Sequence, residues 1–246
     1  MTPEPHSPEA LRALADAATD REQQAGYLHD LAAMLGARGE TAAAVRALSE
    51  ALGIYRELDA ADPNYRPHVA AMLNQLAAHR HHAGDGDGAA DAAREAVGHF
   101  RSLAGMGKPR YLNELAMALN NLGAILGDRD PAGSLAACEE AAQIYAPLAE
   151  GDPETYTVQH AVALHNLGDR QRAGGDPRSA FTTLEQALRV LLPQFKTAPN
   201  ALEPRAHALA RDYLDAAEKT QQQPNGPLTM ELVKLFNQVY EGRKDA

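Results

Sequence analysis

The chain has a single cysteine, Cys138, and no tryptophan among its 246 residues. One thiol cannot build a disulfide framework or a thiolate metal cage within the chain. No apolar run approaches the roughly 18 residues that a membrane span needs. The first ten residues carry Pro and Glu where a signal peptide would place a basic and then an apolar stretch. Cytoplasmic residence without a membrane partner is the expectation. Positive charge is also scarce: 23 Lys and Arg stand against 33 Asp and Glu, a formal net charge of −10. No basic run offers a track for a phosphate backbone, so no nucleic-acid partner is expected. Aromatics make up only 5%, and β-branched residues are few, which argues against strands.

What is abundant is Ala and Leu, residues that lose little freedom in a helix. They recur with a long period. Leu119-Asn120-Asn121-Leu122-Gly123 returns as Leu164-His165-Asn166-Leu167-Gly168, with variants at Leu28-His29-Asp30-Leu31-Ala32 and Leu73-Asn74-Gln75-Leu76-Ala77. Leu31, Leu76, Leu122 and Leu167 are spaced by 45, 46 and 45 residues; Ala51, Ala96, Ala141 and Ala187 by 45, 45 and 46. Tyr55, Phe100, Tyr145 and Leu191 keep the same period. Within each block Leu residues at i and i+3, joined at i+7 by Leu35 in the first and Leu126 in the third, mark one helix, a turn follows, and an Ala-rich stripe marks a second. A helix pair of this size cannot bury its own apolar face, so neighbouring pairs must supply the core.

Taken in order, residues 1–7 are Pro-rich and expected to be disordered. Ser7-Pro8-Glu9 starts a capping helix over 8–19. Four repeats follow, at about 20–62, 63–108, 109–152 and 153–199. A degenerate fifth, 200–240, acts as a cap, and 241–246 is a frayed tail. Pro147 and Pro193 are expected to bend or end the second helices of repeats three and four. The third repeat is expected to have a shortened turn without a turn glycine, since Leu122 to Ala141 spans 19 residues against 20 elsewhere.

Leu164, Leu167, Gly168, Gly175, Asp176, Ala180 and Ala187 of the fourth repeat, and their near-equivalents in the first two, resemble the tetratricopeptide repeat (TPR) family. The 45–46-residue period is similar to the long-helix, kinesin light chain variety. The resemblance covers Asp20 to Phe195 strongly and the rest weakly. It implies an all-α, right-handed α-solenoid of antiparallel helix hairpins. It also implies a binding groove lined by the first helices, in a protein-interaction scaffold or adaptor rather than an enzyme.

Carried over by position, the groove residues are His29, Asp30, Asn74, Gln75, Asn120, Asn121, His165, Asn166, Arg211 and Asp212. Asp169 and Arg172 add charge; Met117 and Val162 add apolar contact. An amide donates and accepts at once, which suits the backbone of an extended peptide or partner helix. The same residues could instead bridge neighbouring helices, and the charged set could be ordinary helix ion pairs. The expected partner is a protein or peptide, with homo-oligomerisation left open. No cofactor, metal or catalytic residue is expected. His79, His81 and His82 read as surface decoration closing a helix, and Cys138 as a buried thiol. Two alternatives stand beside the adaptor: an enzyme or small-ligand receptor using the groove as a pocket, and a regulatory sensor module of a signalling system.

Overall fold

A computed structural model describes residues 7–106 and 109–242. Most of the amino-terminal stretch 1–7, and residues 243–246 of the expected tail, lie outside the described residues. Glu241 and Gly242 belong to the last helix. Among the described residues the secondary structure is helical, with no strand. The chain forms two compact units, Met1–Leu126 and Gly127–Ala246.

The first unit comprises α1 (Pro8–Ala17), α2 (Arg21–Ala37), α3 (Thr41–Ala61), a 3-10 turn at Pro63–Tyr65, α4 (Arg66–His82), α5 (Gly86–Ala104) and α6 (Pro109–Leu126). The second comprises α7 (Pro131–Gly151), α8 (Pro153–Ala173), α9 (Pro177–Thr197), α10 (Pro199–Thr220) and α11 (Gly226–Gly242). Within each unit every helix packs on the next along the chain.

Local chemistry sets the helix starts. Ser7 caps α1 by accepting from the Ala10 N–H at 3.1 Å. Aspartates cap five others: Asp20 accepts from the Gln23 N–H, Asp85 from Gly88, Asp130 from Gly133, Asp152 from Thr155 and Asp176 from Ser179. Behind three of these, Pro131, Pro153 and Pro177 open their helices, where the missing N–H would have had no helical partner anyway. Such caps typically contribute about 1 kcal/mol each.

The turn glycines Gly39, Gly84 and Gly175 sit at φ +76°, +82° and +83°, left-handed values that other residues resist. The third repeat's turn departs from expectation. Gly127 takes φ +45°, so a turn glycine is present. Three residues separate α2 from α3, α4 from α5 and α8 from α9, whereas the four residues 127–130 follow α6. The helix ends early and the connection is longer; the short Leu-to-Ala spacing had concealed both. Pro147 and Pro193 lie inside α7 and α9, which continue to Gly151 and Thr197. Neither proline ends its helix.

Ala44, Ala51, Ala89 and Ala96 are fully buried in the first unit, as are Ala141, Ala180 and Ala187 in the second. Small side chains let the paired helices approach. α8 and α9 approach closely at Gly168, where a Cβ would fall 2.7 Å from Leu184 Cγ. Tyr213, wholly buried where a leucine would continue the period, needs a partner for its hydroxyl. It donates to Glu185 Oε2 (3.0 Å) and accepts from the Asn225 N–H (2.8 Å), tying the α10–α11 turn to α9.

Candidate functional site

The polar residues between the paired leucines lie on α2, α4 and α6 of the first unit and on α8 and α10 of the second. In both units they form rungs between successive first helices. His29 Nε2 lies 2.8 Å from Gln75 Nε2 and 3.2 Å from Gln75 Oε1, joining α2 to α4. Asn121 Nδ2 donates to Asn74 Oδ1 at 3.0 Å, joining α6 to α4. His165 donates its Nε2–H to Asp212 Oδ2 at 2.8 Å, joining α8 to α10.

The pairing is diagonal. The first polar residue of one block meets the second polar residue of the next, 46 or 47 residues on. Facing residues on successive first helices are thus about one position away from exact repeat equivalence. That offset is the signal by which the pairing could have been read from sequence: a period of 45 or 46 plus one.

The rungs leave polar atoms over. His29 retains its second ring nitrogen whichever tautomer it adopts. Asn74 keeps its amide N–H groups and Asn121 its carbonyl oxygen outside their mutual bond. All three are half-buried, as are Gln75, Asn120, Val162, His165, Asn166, Asp169 and Arg172. Asp30 and Arg211 are exposed, and Met117 is 42% exposed. Asn120 and Asn166 also take part in polar interactions. Asp212 is the exception, only 6% exposed. Its carboxylate is covered from one side by His165 and gripped at Oδ1 by the Nε and Nη2 groups of Arg211, both at 3.1 Å.

Around it the second unit carries a charged network. Arg172 donates to Asp169 Oδ1 at 2.8 Å and to Asp215 Oδ2 at 3.2 Å. Lys219 donates to the same Asp215 oxygen at 2.9 Å. The Lys219 hydrogen bond holds the Asp215 carboxyl below its usual range, and Arg172 adds to the effect. Lys219 escapes a positional reading because it lies two turns beyond the repeated motif. Among the described residues, His165, Asp169 and Asp212 bring one ligand atom each to within 4.8 Å of one another.

The histidine cluster on α4 does not converge. His79 packs its ring on Gly36, where an added Cβ would meet Cε1 at 2.6 Å, and burial depresses its pKa. His82 turns back to donate to the Ala78 carbonyl. Cys138 is buried and its pKa is pushed up to about 11 by that burial, which leaves little thiolate for nucleophilic attack. No helix among the described residues is long and apolar enough to cross a membrane.

No protein-family model matches this sequence, and no curated protein does. Solved structures match well. A Podosopora anserina protein of kinesin light chain TPR-like repeats is 16% identical, with a TM-score of 0.65 over 90% of this chain and 98% of that one. BtubC (BKLC) from P. vanneervenii is 22% identical, with a TM-score of 0.60 over 74% of this chain and 69% of that one. RapI in its apo form is 13% identical, with a TM-score of 0.63 over 97% of this chain and 60% of that one. What they share with this chain is the fold, an all-α TPR-like helical repeat.

Proposed function

We propose that this protein is an interaction scaffold whose first-helix face holds an extended or helical segment of a protein partner. One observation carries the reading. In the first unit the rungs His29–Gln75 and Asn74–Asn121 fix their side chains across helices and still leave donors and acceptors half-exposed. Groups locked before binding lose little freedom when a partner arrives. An amide can meet either a backbone N–H or a backbone C=O. Asp30 and Met117, both exposed, extend the same first-helix surface with one charge and one flexible apolar contact. On the second unit Val162 and Asn166 offer a comparable half-exposed pair on α8. Helical repeats commonly present such faces as binding surfaces.

The test is affinity capture from native lysate with three baits: the parent chain, a ladder variant Asp30→Ala/Asn74→Ala, and a second-helix variant Ser49→Ala/Glu57→Ala. A partner of this face is retained by the parent and the second-helix variant and lost by the ladder variant. Equal capture by all three baits sinks the proposal.

A further inference from the structure

The joint between α8 and α10 has an arrangement that an ion-pair network alone does not require. His165 and Asp169 stand four residues apart on one face of α8, and Asp212 faces them from α10. Each carboxylate is held at one oxygen by an arginine. Arg172 takes Asp169 Oδ1 and Arg211 takes Asp212 Oδ1. Asp212 Oδ2 is thereby turned to the imidazole at 2.8 Å, and Asp169 Oδ2 is left over. Outer partners that orient a ligand through its second atom are the usual setting of a metal-binding carboxylate.

We propose that His165, Asp169 and Asp212 form a binding site for one divalent transition-metal ion of the zinc type. Tetrahedral ligands on bonds of about 2.0–2.2 Å lie roughly 3.3–3.6 Å from one another. The 2.8 Å between His165 Nε2 and Asp212 Oδ2 has to open by only about 0.5–0.8 Å to reach that edge. Asp169 has the furthest to come, from within 4.8 Å; its side chain is 30% exposed, so it can pivot about the oxygen that Arg172 holds. The ion takes the place of the proton between Nε2 and Oδ2; a neutral imidazole then carries its one proton on Nδ1, and an imidazolium releases one proton to solvent. Arg172 is not orphaned when Asp169 turns, because its other terminal nitrogen stays on Asp215.

Asp212 is nearly sealed from water, so its carboxylate depends on His165 and Arg211 for compensation, and a bound ion would take over the first of these. One imidazole and two oxygens favour zinc, cobalt or nickel; calcium and magnesium prefer more oxygen ligands and no nitrogen. The fourth position stays open to water.

The test uses the untagged full chain, stripped with chelator and titrated with Zn²⁺ and with Co²⁺ by calorimetry and visible absorption. Four variants are run beside it: Asp169→Asn, Asp212→Asn, His165→Ala, and His81→Ala/His82→Ala to remove the α4 histidines. Expected is one saturable ion per chain, unchanged in His81→Ala/His82→Ala and weakened at least about tenfold by each of the other three. Asp169→Asn alters only a half-exposed side chain, and far-ultraviolet circular dichroism verifies that it folds. Overturning results are no saturable uptake by the parent, uptake untouched by Asp169→Asn, or uptake lost with the α4 histidines.

Discussion

Gly168→Ala offers a sharp test of the helix packing, because its sign opposes that of the same substitution elsewhere. In an exposed helix interior Gly→Ala stabilises by about 0.8–1.0 kcal/mol, since alanine has less backbone freedom to lose. Gly53, exposed within α3, has nothing within 4 Å of a Cβ, so Gly53→Ala should gain about that amount. At Gly168 the new methyl would lie 2.7 Å from Leu184 Cγ and 2.8 Å from Cδ2, where carbons ordinarily stay about 3.5–4.0 Å apart. Leu184 is wholly buried and has no open side to swing toward, so α8 and α9 must part or Leu184 must leave its rotamer. Overpacking of this kind costs about 1–3 kcal/mol. Set against the propensity gain, Gly168→Ala should lie between neutral and about 2 kcal/mol destabilising. The quantity to read is the gap between the two variants, about 1–3 kcal/mol, or roughly 2–12 °C in melting midpoint for a chain of this size. Circular dichroism at the helical band, in parallel heat and urea titrations, measures it. Trimming Leu184 to Ala should suppress the penalty, so that Gly168→Ala made in Leu184→Ala turns stabilising. If Gly168→Ala raises the midpoint as much as Gly53→Ala does, the close approach of α8 and α9 is wrong.

Other perturbations test other links. Tyr213→Phe strips the hydroxyl that serves Glu185 and the Asn225 N–H; a loss of about 1–3 kcal/mol is expected, with faster amide exchange at Asn225. Asn121→Ala breaks the rung to Asn74 and should cost about 0.5–1.5 kcal/mol in urea unfolding; an unchanged midpoint would refute the rung. The Asp176 carboxyl is held below its usual range by the Ser179 side chain and backbone N–H. Its cap is therefore present at neutral pH and is lost as pH falls below the unfolded value and through the lower folded one. Melting followed from pH 6 to pH 2 should show Asp176→Asn losing less stability than the parent. Cys138, buried with a raised pKa, should resist a thiol reagent at pH 8 in the folded chain and react on unfolding; rapid native labelling would contradict its placement.

The repeat period, the helix pairs and the buried alanines were legible because packing imposes them locally. A stripe must face its neighbour, and a close approach must be small. The start of α1 was legible for the same reason, since Ser7-Pro8 carries its capping chemistry with it. Two readings went astray at the third repeat, where spacing between Leu122 and Ala141 is the sum of a helix end and a turn. One number cannot separate an early end from a short connection. The prolines at 147 and 193 do not end their helices, because a helix held by neighbours outlasts the loss of one hydrogen bond.

For the candidate site the sequence could say which residues face together along α2, α4, α6, α8 and α10. It could not say that they would reach for one another. Whether Asn74 meets Asn121, or His165 meets Asp212, depends on how far apart successive first helices stand and on the lean of their side chains. Both are properties of helices already packed. Burial is the clearest case: Asp212 occupies the same repeat position as Asp30, yet one is sealed and the other exposed. Composition and period determined the kind of fold and the face that carries polarity. Only the packed structure decided which of those polar groups are consumed between helices and which remain available to something else.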